Sequence, residues 1–178
     1  GVTKFLTTNN ANGEGTTSSR ITSFNSNGLT LGANTETNYS GASYASWTFR
    51  KAERFFDVVT WTGNGVNGRY IPHSLGVAPG FIIVKRTDSS SYWATTHKDA
   101  APLSLNTSLA DNNVSSSQNG YVPSGGGGLF QDNFRVLAYN GNMDAVNASG
   151  GTYVAYLFAH DPDGENDDGM ISCGSYAA

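Results

Sequence analysis

Apolar and polar residues alternate along this chain in short runs broken by Gly, Asn, Ser and Pro, and no convincing 3.6-residue apolar period appears. From Tyr44 to Arg50 the alternation is clean: Ala45, Trp47 and Phe49 fall on one face, Ser46, Thr48 and Arg50 on the other. Asn27-Gly28 inside Phe24–Leu31 is a hairpin signal between two short strands. Further strands are expected over 55–62, closed by Gly63-Asn64-Gly65, and over 92–97, 134–139 and 152–160. The run 81–84 is apolar on both faces and reads as a central strand that ends at Lys85-Arg86. Pro72 and Pro79 bracket a connection, and "RKAERFF" from Arg50 has room for one helical turn. Residues 1–20 are polar and turn-like, and 106–128 form a long polar loop that ends in four glycines. The pattern predicts an all-β fold, an antiparallel two-sheet sandwich of jelly-roll type with long polar loops.

The chain also repeats itself. "NYSGASYASWTF" from Asn38 returns as "NASGGTYVAYLF" from Asn147, with one constant offset of 109 (147 − 38) and no gap. Asn38, Ser40, Gly41, Tyr44 and Phe49 have identical counterparts, and Trp47 is answered by Tyr156. A preserved aromatic face is what a shared core position requires, so Trp47, Phe49, Tyr156 and Phe158 are expected to be buried, with Val154 on the same face.

Composition sharpens this picture. Only 13% of the 178 residues are charged, and Gly, Asn, Ser and Thr take their place; these residues favour turns and strands over helix interiors. Nine Tyr, nine Phe and three Trp supply a core, which argues against disorder. A net charge of −4 with ten Lys and Arg offers no phosphate-binding surface, so nucleic acid is not an expected partner. No apolar run approaches the roughly 20 residues of a membrane helix, and insertion into a membrane is not expected.

The ordered string "FFDVVTWTGNG", "PHSLGVAPG", "IIVKR", "YVAYLFAHD" and "ISCGSY" resembles a repeated module of unassigned function in structural proteins of tailed phages, often marine ones. In those proteins the module frequently sits beside concanavalin-like lectin domains. The resemblance implies a virion or tail-fibre location and supplies no catalytic residues. It also sets the phase of the repeat, because "GSYAA" at the end aligns with Val59–Gly63 and Tyr176 answers Trp61. Residues 1–55 are then the back half of one unit packed on the next, 56–169 a complete unit, and 170–178 the first strand of a third.

Several residues are of types that could carry chemistry. Asp161, Asp163, Glu165 and Asp167 alternate as oxygen ligands of a calcium loop do. Their glycines stand in the wrong places for an EF-hand, so a solvated acidic turn is the expectation and no metal or cofactor is predicted. His73, His97 and His160 lie far apart, and no G-x-S-x-G elbow accompanies them. Glu36, Glu53, Asp57 and Asp88 lack the apolar setting that raises a catalytic acid. Cys173 is alone and reads as a small hydrophobe. The N-x-S/T triplets at Asn38, Asn106, Asn113 and Asn147 are expected by chance in so polar a chain.

Aromatic residues at strand ends and loops are the better lead: Tyr70, Tyr92, Trp93, Tyr121 and Tyr139 are candidates for stacking on a sugar ring or contacting a receptor. The expected function is therefore that of a non-enzymatic virion component, a homo-oligomer presenting loops 86–97 and 106–128 to a host glycan or a neighbouring subunit. A carbohydrate-binding module is the alternative, and a polysaccharide-degrading enzyme comes third.

Overall fold

β-Branched and aromatic residues fill the central strands, and every strand pairing is antiparallel. The computed structural model describes residues 2–100, 103–105, 114–115, 120–160, 171 and 173. Twelve strands appear among them: β1 Lys4–Phe5, β2 Gly15–Thr16, β3 Ile21–Asn25, β4 Gly28–Leu31, β5 Phe56–Thr62, β6 Arg69–Pro72, β7 Pro79–Arg86, β8 Trp93–His97, β9 Leu103–Leu105, β10 Val114–Ser115, β11 Asn133–Val136 and β12 Thr152–Ala159. The described residues contain no α-helix, and the four-glycine run holds a single 3₁₀ turn at Gly125–Gly127. The fold is all-β.

The chain divides into two compact units. One holds residues 1–7 and 14–48; the other holds 8–13 and 49–178. In the smaller unit β1 pairs with β2, and β3 with β4. The β3–β4 loop is Ser26-Asn27, one residue earlier than the Asn-Gly signal placed it, because Asn25 pairs directly with Gly28. The Arg20 guanidinium lies 3.7 Å from the centre of the Phe5 ring and pairs with Glu36.

In the larger unit six strands form one sheet in the order β10-β9-β8-β7-β12-β5, and β6 with β11 form a ribbon. The ribbon and one face of the sheet share a core. Ile71, Phe134 and Val136 contribute from the ribbon, and Trp61, Ile82, Val84, Ala94, Tyr153, Ala155 and Leu157 from the sheet. At roughly 25 cal/mol per Å² of apolar surface, this cluster is the main source of stability.

The repeated strand buries the opposite face from the one expected. On β12 the core side is Tyr153, Ala155, Leu157 and Ala159, while Tyr156 and Phe158 point outward and are half-buried. One residue of phase separates the two readings, and in a strand that exchanges the faces. The large rings misled because they pack on one another: Phe158 lies 5.0 Å from Phe56, 5.7 Å from Phe49 and 6.0 Å from Phe81, centre to centre. In the first copy the expectation fails outright, since residues 43–50 form no strand, Trp47 is 80% exposed and Phe49 is 48% exposed. "RKAERFF" makes a tight reversal rather than a helix: Ala52 bridges Phe56, and Arg54 adopts φ 56°.

Lys85 does not end β7. It is fully buried inside the strand, on the outward face, opposite Trp93 and Val154. Residues 8–13 cross that face as a strap, and the Lys85 ammonium donates to the carbonyls of Ala11, Arg86 and Ser91, each at 3.0 Å. Three N–H groups meet three acceptors, which is what allows a cation to be buried without a carboxylate in contact.

Candidate functional sites

The repeat is a structural repeat. Asn38 and Asn147 each donate their backbone N–H to the residue four positions earlier, Asn34 and Met143. Thr37 and Val146 donate to the same two carbonyls, and Ala42 and Gly151 donate to Tyr39 and Ala148. The Tyr44 hydroxyl accepts from the Tyr39 N–H at 2.9 Å and donates to the Thr35 carbonyl at 3.2 Å. The Tyr153 hydroxyl accepts from Ala148 at 2.8 Å and donates to Asp144 at 2.9 Å. Every partner is displaced by 109, and Gly41 (φ 82°) and Gly150 (φ 79°) hold the same left-handed turn that favours glycine. Each tyrosine thus pins a corner, and only the corner of Tyr153 leads into a strand, β12.

Only the second corner is built into a sheet. Tyr153 is 1% exposed and stacks on Trp61, with ring centres 5.3 Å apart and planes 16° apart. The Trp61 indole donates to the Val146 carbonyl at 3.1 Å. Buried Asn147 holds the loop after β5: its amide donates to Asn64 at 2.8 Å and to the Val66 carbonyl at 3.0 Å, while its oxygen accepts from Asn64 and Arg69. That burial rules out Asn147 as a glycosylation acceptor. In the first copy Tyr44 is 51% exposed, and the Asn38 amide donates to the Gly32 carbonyl. Beside Tyr44 lies an open, mostly apolar groove of about 360 Å³ walled by Ile21, Leu29, Leu31, Thr37, Ala45 and Ser46, with Glu36 at its side.

A second recess, about 460 Å³ and polar, is lined by His73, Ser74, Gly76, Gln131 and Asp132. His73 Nδ1 accepts from the Leu75 N–H at 3.2 Å, so Nε2 carries the proton toward the Phe130 carbonyl at the same distance. Burial pulls the His73 pKa below its usual value, and the ring stays neutral. Tyr70, 54% exposed, sits beside Phe130 at 5.8 Å with the Arg135 guanidinium 5.8 Å from its ring. Behind the recess Asp57 is buried. Burial alone raises its pKa, but the Lys51 ammonium at 2.7 Å and the backbone N–H groups of Ser74 and Val58 hold it below the ordinary carboxylate value. Asp57 is therefore an ionised anchor, not a proton donor.

The other candidates are dispersed. Trp93 is 1% exposed and its indole donates to the Asn10 carbonyl at 2.9 Å, so it holds the strap and offers no surface to a sugar. Tyr92, Tyr121 and Tyr139 are half-buried, and the latter two pair through their backbones with Leu137 and Asn142. The His97 and His160 rings accept from the backbone N–H groups of Asp99 and Cys173. Burial raises the Cys173 thiol pKa, which makes it a poor nucleophile. Among the described residues no three His, Cys, Asp or Glu side chains are placed to hold a metal ion. Asp161, Asp163, Glu165 and Asp167 lie outside the described residues, as does most of loop 106–128. None of the described helices is long and apolar enough to cross a membrane.

Sequence reasoning missed the groove and the buried roles of Asn147 and Lys85. The signal for Asn147 was present, since it opens the repeat.

Comparison with protein families matches residues 1–177 to a domain of unknown function, DUF7483, and the chain belongs to that family. Neither the curated proteins nor the solved structures contain a match.

Proposed function

We propose that this DUF7483 domain is a non-enzymatic structural module of a tailed-phage virion, used in a tail fibre or another exposed assembly. One observation carries the reading: the same tyrosine corner is built twice, once completed by neighbouring strands and once left open. A chain that holds a finished unit and an unfinished one is suited to joining unit to unit, and strand addition is a general way to do so. The low charge and the ordered motif string fit the same role. Homo-oligomers and contacts with other virion subunits follow from it. Immunogold labelling of purified phage particles with an antibody against this domain tests the location. Label on a fibre or shell is expected, and antigen found only outside particles refutes it.

A second reading is favoured by Tyr70. Its exposed ring packs on Phe130, whose carbonyl bonds to the His73 of a recess with amide, hydroxyl and carboxylate groups, and such a set suits a sugar face and its hydroxyls. Glycan-array binding abolished by Tyr70→Ala supports carbohydrate recognition at this place; an array with no binding removes it.

A further inference from the structure

The open groove has a filled counterpart in the same chain. Glu36, Thr37, Tyr44, Ala45 and Ser46 line it; with the offset of 109 they correspond to Ala145, Val146, Tyr153, Val154 and Ala155. Ala145, Val146, Tyr153 and Ala155 belong to the core cluster that includes Trp61, whereas Val154 is buried on the other face, opposite Lys85. In that copy the Trp61 ring stacks on the corner tyrosine and donates to the carbonyl of residue 146. The loop after it, Gly63-Asn64-Gly65, is then clasped: Gly63 donates to Gly151, Gly150 donates back to Gly63, and Gly65 donates to Asn147. The first copy has the corner in place, with its hydrogen bonds and left-handed glycine, and an apolar groove beside the tyrosine where the second copy has an indole.

We propose that this groove is a socket for a tryptophan-bearing strand of the Val58–Val66 type, supplied by another unit of the same family. The ring would lie on Tyr44 with its N–H directed at the Thr37 carbonyl, and the Gly-Asn-Gly turn would meet Asn38. The corner is already folded, so binding need not order it, and little affinity is lost to ordering. Exposed Tyr39, Tyr44 and Trp47 around the corner are large apolar surfaces that such a strand would cover. This deepens the assembly reading above and rests on it, because it names the segment that would join two units.

The test uses the whole chain and a fluorescently labelled peptide, DVVTWTGNGVN, which copies residues 57–67. Saturable binding tighter than about 1 mM is expected by anisotropy, at least about tenfold weaker for the peptide with Trp61→Ala. Two chain variants locate the site without touching the corner's hydrogen bonds: Ser46→Trp fills the groove, and Leu31→Glu places a charge on its opposite wall. Each should weaken binding at least about tenfold, with circular dichroism unchanged. Absence of binding overturns the proposal. Binding that survives both variants also overturns it, because the peptide would then be displacing β5 in the larger unit. The result is separable from the virion location: label on particles with no peptide binding refutes the socket alone, and peptide binding without label refutes the location alone.

Discussion

Tyr153→Phe and Tyr44→Phe remove the same oxygen from the same corner in two environments, and the environments set very different costs. Tyr153 is 1% exposed, and its hydroxyl satisfies the Ala148 N–H at 2.8 Å and the Asp144 carbonyl at 2.9 Å. A buried donor or acceptor left unpaired costs about 1–3 kcal/mol, so losing both partners should cost roughly 2–4 kcal/mol after some relaxation. The ring remains, so stacking on Trp61 is retained and no cavity term enters. Tyr44 is 51% exposed, and water replaces the lost oxygen at Tyr39 and Thr35, so its loss should cost under about 0.5 kcal/mol. Urea unfolding with an unchanged m-value is the assay. Fluorescence separates the two units, because Trp47 lies in the smaller and Trp61 and Trp93 in the larger. Equal losses for the two variants, or a Tyr153→Phe loss below about 0.5 kcal/mol, refute the reasoning.

Trp61→Ala should cost about 3–5 kcal/mol and Trp47→Ala under about 0.5 kcal/mol by the same unfolding assay, because only the first ring is buried. Burial lowers the Lys85 pKa to about 8, against 10.5 for a free lysine, so the unfolded chain holds more protons between those values. Stability relative to Lys85→Met should therefore grow as pH rises through that window, and a pH-independent difference would contradict it. His73 works in the opposite range: its depressed pKa means that the unfolded chain takes up protons first below the usual histidine value of 6.5, and protonation breaks the bond from Leu75. Stability relative to His73→Gln should fall as pH drops below that value in thermal melts, and parallel curves would exclude it.

The strands that read well from sequence were those whose apolar content is dense enough to be buried on at least one face. β5, β7, β8 and β12 fall within a few residues of their expected ends. β6 escaped notice because it is four residues long and ends on Pro72, which pairs only at its ribbon position opposite Asn133. The face that β12 buries is not legible from its large rings, because ring size does not set depth in this sheet. In this sheet small Ala155 and Ala159 let the ribbon approach, and the phenylalanines gather outside. Lys85 looked like a strand terminator because charge is the usual sign of solvent, and nothing local in the sequence announces three carbonyls converging from residues 11, 86 and 91. Trp93 was misplaced for the same reason, as its partner Asn10 is 83 positions away. The repeat was legible because it is written in identities. Its meaning was not: that one copy is enclosed and the other bare depends on strands far from either motif.

The strap over Lys85 has a consequence for how this chain can be cut. Residues 8–13 belong to the larger unit, although the smaller unit lies on both sides of them in sequence. A break after residue 48 therefore does not release an intact larger unit. The piece from 49 onward loses the Ala11 carbonyl from the Lys85 ammonium, the Asn10 carbonyl from the Trp93 indole, and the Ala11 carbonyl that accepts from the Ser91 N–H. It keeps a cation in an apolar wall with one acceptor fewer. Any recombination that exchanges units at the boundaries written in the sequence would leave this thread behind, so a viable exchange must carry residues 8–13 along with the sheet they fasten.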